Sequence, residues 1–385
     1  MKHKKLNTKV LFLASWYPSD VNHLLGNFVQ KHAEIASDIV DVEVLFAVSN
    51  ENVDNFIVKD TIINGVKTII VYYPKIKSNI PLLSSYKKKS AYIKALSIGF
   101  EKLTKQNKYN LVHLNIAFPA GLFAFGLKSK HKIPYIITEH WTGFLPHKKE
   151  YEKLPIYIKR QFKKIYSNAD KILSVSEHLG ESLVNLKLTK NFETIPNVVN
   201  SEFFYPNHDE LNNDKVRFIH VSTFNDEHKN ISGMLSAFSQ LDRNYELHII
   251  TEGSEDEVWK KLKAYNIPKE NCLVDSKLTT KEVGEAMRLA DCFILFSNYE
   301  TFSVVLAEAW RTGIPAIYSQ CGGLTEINNP DLGVQIEPRD EEGLLNALQN
   351  FQITDYSRGK IFEYSHNFSE EKLREQLLKI YSEVI

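Results

Sequence analysis

The chain has 385 residues, 43% hydrophobic and 24% charged, a globular composition that excludes a disordered chain and a length that predicts two domains of ordinary size. Formal net charge is zero, but residues 1–200 hold 29 Lys+Arg against 16 Asp+Glu and residues 201–385 hold 18 against 31. This asymmetry fits two solvated surfaces that attract each other, or a basic first half that meets an anionic membrane or glycan; it gives no reason to expect nucleic acid.

The start is basic and then apolar, but it runs into Trp16, Tyr17 and Pro18 with no small-residue cleavage site. It therefore reads as a buried first strand at 10–15, not as a signal peptide. Further β-rich runs follow at 42–48, 67–72, 111–115, 135–138 and 171–174, with helical patterns at 27–39, 85–106, 119–130 and 155–168. Short apolar strands between amphipathic helices predict a parallel sheet covered on both faces. The longest apolar run, 116–127, has 12 residues and contains Pro119 and Gly121; a bilayer span needs about 20. A Pro-, Asn- and aromatic-rich join lies at 194–210, and the pattern restarts. Strands are expected at 216–222, 245–251, 272–274, 292–296 and 314–318, helices at 231–240, 255–265, 279–290 and 304–312, and a last helix at about 369–385. The fold class is α/β: two doubly wound, Rossmann-like domains in tandem, expected to face each other across a cleft, with ligands at the carboxyl ends of the strands. The divisions are 1–200, 201–365 and a C-terminal helix, 366–385, that packs back toward the first domain. Cys272, Cys292 and Cys321 include no C-x-x-C pair, and read as reduced thiols of a cytoplasmic protein with no zinc site.

The stretch 297–317, SNYETFSVVLAEAWRTGIPAI, keeps Glu300 and Glu308 among apolar neighbours, although a buried carboxylate without a partner is costly. Thr301, Phe302 and Ser303 lead into a helix whose first backbone N–H groups form an anion site. Glu300 would need hydroxyl donors or a cation beside it, and Glu308, about two turns on, could accept from two vicinal hydroxyls such as those of a ribose. Read structurally, Glu300 is a helix N-terminal charge and Glu308 a buried structural carboxylate. Gly322 and Gly323 in the following loop allow close backbone approach to a ligand.

Residues 297–327 resemble the donor-binding signature of retaining GT-B glycosyltransferases, the group often called family 4. Its pattern is a Glu, seven residues and a second Glu, then Gly-x-Pro, Gly-Gly and a Glu, matched at Glu300, Glu308, Gly313, Pro315, Gly322, Gly323 and Glu326. The resemblance extends along nearly the whole chain, through 13–33 with Gly26, 111–115, 136–140, 169–179, 195–206 and 220–230. It departs from the family where Gly-Arg is replaced by Ser222-Thr223 and Gly-x-Gly by Thr251-x-Gly253; the family's Lys is kept as Lys229.

The resemblance implies an acceptor-binding first domain and a second domain that binds a nucleoside-diphosphate sugar. His140, Lys229 and Glu300 are then the catalytic set. Gly26, Ser222, Thr223, Lys229, Glu300, Thr301, Phe302, Ser303 and Glu308 hold the donor; Asn27, Asn115 and Trp141 lie on the acceptor side. Four of these also have a plainer reading: Gly26 as a turn glycine, His140 and Trp141 as core side chains, Lys229 as an exposed lysine. The implied activity is retaining, metal-independent hexosyl transfer to a glycan or lipid-linked acceptor in surface polysaccharide or lipopolysaccharide assembly, with no cofactor and no metal. The location implied is cytoplasmic, peripheral at the inner face of the membrane, where Lys87, Lys88, Lys89 and Lys94 of the helix at 85–106 would meet anionic headgroups or form a solvated face. A non-catalytic nucleotide-sugar binder stays open because the guanidinium is missing. A sugar-nucleotide epimerase lacks an evident carboxylate pair, and a nicotinamide dehydrogenase lacks G-x-G-x-x-G.

Overall fold

The computed structural model describes residues 5–76, 81–105, 108–207 and 214–385; Gln106, at the end of the expected helix, and residues 208–210 of the expected join lie outside them. The chain divides into two compact units, Met1–Asn197 with Leu373–Ile385, and Val198–Lys372.

The first unit is built on β1 (Lys9–Ala14), β2 (Asp41–Asn50), β3 (Ile57–Ile63), β4 (Val66–Pro74), β5 (Leu111–Asn115), β6 (Tyr135–Glu139), β7 (Lys171–Ser174) and β8 (Glu193–Thr194), in spatial order β3-β4-β2-β1-β5-β6-β7-β8. β5 and β6 are buried at every position, as strands covered on both faces must be. All pairings are parallel except β3 with β4. Of that hairpin β4 was expected, at 67–72, and β3 was not, because β3 is largely exposed and carries Lys59 and Asp60 in mid-strand. The signal was present: Asn64-Gly65, both at positive φ, is the dipeptide that a tight hairpin requires. The helix Pro81–Thr104 begins before the expected 85. In the helix Glu370–Val384, Leu377, Ile380 and Tyr381 are buried. From Leu373 on it belongs to the first unit, where the Tyr381 hydroxyl meets His113 Nδ1 at 2.7 Å and Arg374 pairs with Asp38 at 2.8 Å.

The second unit carries β9 (Val216–Ser222), β10 (Tyr245–Thr251), β11 (Cys272–Ser276), β12 (Cys292–Leu295), β13 (Ala316–Ser319) and β14 (Gly333–Ile336), all parallel, in order β11-β10-β9-β12-β13-β14. Its two cores lie on opposite faces of the sheet, one around Phe218, Phe238 and Ile294, the other around Phe293, Trp310 and Tyr318; alternate residues of β12, Phe293 and Ile294, divide between them. Each fully buried side chain of this size stabilises the unit by roughly 1.5–3 kcal/mol. β14 is a short, partly exposed edge strand with too few apolar residues to stand out in sequence. Among the described residues no helix is long and apolar enough to cross a membrane.

Candidate functional site

In both sheets the strand order reverses at the first strand of the unit, β1 or β9, and ligands of open α/β sheets lie at the carboxyl ends of the strands beside that point. The candidate residues cluster there, each set within its own unit.

In the second unit β9 ends at Ser222. Asn225 then caps the short helix Asp226–Lys229 by accepting from the His228 N–H at 2.9 Å. That turn brings Lys229 to Glu300, which follows β12: Lys229 Nζ donates to Glu300 Oε1 at 2.6 Å, and Ser297 Oγ donates to the same oxygen at 2.8 Å. Lys229 is 9% and Glu300 5% exposed. Burial alone would raise the Glu300 carboxyl; the Lys229 ammonium and His228 outweigh it and hold the group well below the usual carboxylate range. The sequence supplied both residues of this pair but not the pairing. His228, which sequence reasoning passed over, stacks flat on Tyr299 with ring centroids 4.4 Å apart, and its Nε2 lies 3.6 Å from Glu300 Oε1. That nitrogen is buried and has no hydrogen bond. The only sequence signal for it was its place beside Lys229.

Two expected donor contacts have other partners. His220 Nδ1 lies 2.9 Å from the Ile294 carbonyl and must donate to it, so Nε2 accepts from Ser222 Oγ at 2.7 Å. The same hydroxyl accepts from the Phe224 N–H, which ties Ser222 into the turn; Thr223 is exposed. Gly322, at φ 54°, fits against the chain itself: a Cβ there would stand 1.9 Å from the Glu300 carbonyl oxygen, and the Gly323 N–H donates to that oxygen at 3.0 Å. The glycine pair expected to approach a ligand thus fixes the backbone of Glu300.

Ser303, at φ 70°, precedes the helix Val304–Arg311 and has a buried hydroxyl without a partner. The first N–H groups of this helix have no intrahelical acceptor. Thr301 is half-buried, and Phe302 packs edge to face on Phe368 at 5.2 Å. Glu308, on the second turn, is half-buried, with no hydrogen bond or ion pair to a described residue. Burial without a counter-charge pushes its carboxyl up to about 8. Cys321 is buried and its thiol is raised, chiefly by burial; that is the opposite of an activated nucleophile.

In the first unit Gly26, at φ 75°, begins the helix Asn27–Ser37, and a Cβ on it would stand 2.5 Å from the Trp16 carbonyl oxygen. Asn27 is exposed and caps its neighbour's N–H. Asn115 ends β5 fully buried, with Oδ1 unpartnered. His140 follows β6. It is 4% exposed, lies on Phe28 at 4.5 Å, and neither ring nitrogen has a partner. Burial, with His32 and His113 nearby, holds its imidazole well below the ordinary value, so the ring is neutral. Glu139, fully buried, accepts from the Ala117, His140 and Trp141 N–H groups and from the Tyr166 hydroxyl at 2.6–3.0 Å. It ties the loop after β5 to the loop after β6 and has no free lone pair suited to attack. Trp141 is half-buried and stacks on Phe162 at 5.9 Å. Among the described residues no group of three or more His, Cys, Asp or Glu side chains is disposed to hold a metal.

Residues 202–381 match the family described as glycosyl transferases group 1, and residues 61–203 match glycosyltransferase family 4. An uncharacterized glycosyltransferase of Methanocaldococcus jannaschii is 28% identical over 331 residues, 83% of this chain and 87% of that protein. The lipopolysaccharide 1,6-galactosyltransferase of Escherichia coli is 25% identical over 244 residues, 60% of this chain and 62% of that protein, less than two thirds of its length. The Anabaena protein HepE, solved in complex with UDP and glucose, superposes with a TM-score of 0.72 at 12% identity, covering 98% of this chain and 100% of that one. The two family matches follow one another along the chain, and the two-sheet fold is shared: the chain belongs to the GT-B glycosyltransferases of the family 4, group 1 type.

Proposed function

We propose that this glycosyltransferase takes a sugar from a nucleoside-diphosphate sugar and transfers it, with retention and without a metal, to a glycan or lipid-linked acceptor in surface polysaccharide or lipopolysaccharide assembly. The observation that carries the reading is the buried Lys229–Glu300 pair at the strand end, beside the free N–H groups of the helix Val304–Arg311. In this reading the donor diphosphate lies at the helix start, near Ser303, and draws on Lys229 for positive charge and on His228 for a hydrogen bond. These groups do the work of the missing guanidinium and stabilise the departing diphosphate electrostatically. Glu300, relieved of part of its bond to Lys229, accepts from hydroxyls of the sugar. Glu308, without a protein partner, accepts from the ribose. His140, neutral and unpartnered, hydrogen-bonds the reacting sugar as a donor; Asn115 and Trp141 serve the acceptor.

Two similar proteins support the substrates: HepE was solved with UDP and glucose, and the Escherichia coli relative is a lipopolysaccharide galactosyltransferase. The test is a thermal-shift screen against UDP, GDP, ADP, CMP and their sugar conjugates, with and without EDTA. A ligand that binds only the folded chain raises its apparent stability. A shift with one nucleoside diphosphate, unchanged by EDTA, is expected; transfer with the matching sugar conjugate, and the anomeric configuration of the product by NMR, complete the test. Binding without transfer to any acceptor would favour the non-catalytic reading; no shift at all would sink the donor site.

A further inference from the structure

Lys229 sits on the helix Asp226–Lys229, which is a single turn, and one turn of helix does not hold itself in water. Its Asp226 carbonyl accepts from the Asn230 N–H at 2.9 Å. The next two carbonyls turn to one residue outside the helix. Asn298 Nδ2 donates to the Glu227 carbonyl at 2.9 Å, and the Asn298 N–H donates to the His228 carbonyl at 2.8 Å. Asn298 lies in the loop after β12, two positions before Glu300. It therefore ties the turn that bears the ammonium to the loop that bears the carboxylate.

The Asn298 amide has one possible orientation. Its oxygen lies 2.9 Å from Arg339 Nε, which can only donate, and its nitrogen faces a carbonyl, which can only accept. Donation from a charged guanidinium polarises the amide and strengthens its own donation to the Glu227 carbonyl. Arg339 lies between β14 and the helix Glu341–Asn350, in the left-handed backbone region at φ 66°. A residue with a Cβ keeps that conformation where its surroundings impose it. The Arg339 side chain is exposed and makes no ion pair with a described residue; among the described residues its side-chain hydrogen bond goes to Asn298.

We infer that Asn298, held by Arg339, is a positioning residue for the donor: it clamps the turn so that the Lys229 ammonium stands against Glu300 and, with donor bound, against the diphosphate. This rests on the reading of the second unit as the donor site. The clamp matters because Ser222-Thr223 stand where the family has Gly-Arg, which leaves Lys229 as the main source of positive charge. A group displaced by about 1 Å from its working position loses much of its effect.

Asn298→Leu keeps the volume and the backbone bond and removes the side-chain clamp. Arg339→Met removes the donor to Asn298 at an exposed position, and Arg339→Gln restores an N–H at the place of Nε without the charge. Each is combined with Lys229→Met, and thermal unfolding of the full chain is followed without ligand. The fall in Tm caused by Lys229→Met should be at most about half as large in Asn298→Leu as in the parent, because contacts of one network do not add. It should be reduced in Arg339→Met and restored in Arg339→Gln, whereas a contact that merely supports the unit would leave it unchanged in all three. Calorimetry with UDP, GDP, ADP and their nucleosides gives the second readout. For the diphosphate that binds the parent, Asn298→Leu should weaken binding about fivefold, the size of one hydrogen bond. It should leave the nucleoside unchanged and have no further effect in the Lys229→Met background. No binding of any of the three would sink the donor reading, and the unfolding measurements would still decide the clamp. Equal Tm falls in the parent and in Asn298→Leu would overturn the inference. So would an Arg339→Gln protein that behaves like Arg339→Met, since the guanidinium charge would then have a role of its own.

Discussion

Replacing Lys229 with Met removes the ammonium and keeps most of the volume, which leaves the Glu300 carboxylate buried and opposed by His228 alone. At the 2.6 Å separation and an effective dielectric constant of about 20, the lost attraction is about 6 kcal/mol. Part of this was offset by desolvation of the lysine, so the expected net loss is about 3–5 kcal/mol, and the second unit should melt roughly 6–20 °C lower. The pH dependence changes sign. In the parent the folded carboxyl sits below its unfolded value, so its contribution is fully present above the unfolded range and is lost as pH falls through the folded one. Without Lys229 burial prevails, the folded carboxyl rises above its unfolded value, and stability is lost as pH rises past the unfolded value, by up to about 1.4 kcal/mol per unit. Thermal and urea unfolding of the parent, Lys229→Met, Glu300→Gln and the double variant, at several pH values, measure both effects; the double variant should recover most of the loss. A Lys229→Met protein that melts within about 2 °C of the parent, with no slope in pH, would refute the claim that this ion pair holds the strand ends together.

The other expectations concern ligands and the first unit. Glu300→Gln should lower transfer by about 10²–10³ while nucleotide binding is kept, because the lost contact acts on the sugar; the ratio of turnover to nucleotide Kd decides it. Glu308→Ala should weaken the nucleoside diphosphate by about tenfold or more, the value of hydrogen bonds to a charged acceptor. Since burial lifts the free Glu308 carboxyl to about 8 and ribose hydroxyls favour the ionised form, nucleotide affinity in the parent should fall as pH drops below 8; calorimetry should show this slope gone in Glu308→Gln. His228→Phe keeps the stack on Tyr299 and should weaken the diphosphate by about fivefold while leaving the nucleoside unchanged, the size of one hydrogen bond. Glu139→Gln places an amide N–H among four donors and should destabilise the first unit by about 3 kcal/mol, measured by urea unfolding.

β1, β2, β5, β6, β9, β10 and β12 were legible because their buried stretches are short runs rich in Val, Ile, Leu and aromatic residues. The edges were not. β3 and β14 each have a side open to water, where alternation is weak and charges are tolerated. At the site, Glu300 and Glu308 stood out as residue types, since a carboxylate between apolar neighbours signals an unusual demand; Lys229 was singled out only by the family resemblance.

The sequence by itself determined the two-sheet α/β architecture and the chemical types gathered at the strand ends. Tertiary structure alone decided the partnerships: Lys229 with Glu300 across 71 positions, Glu139 with Tyr166 across 27, and the Gly322 backbone against the Glu300 carbonyl. It also decided which polar groups lack a partner, among them His140 and Asn115 Oδ1. The reason is physical. Local periodicity fixes which face of an element is buried, whereas a hydrogen bond or ion pair depends on ångström-scale separations between loops, and packing of distant segments sets those.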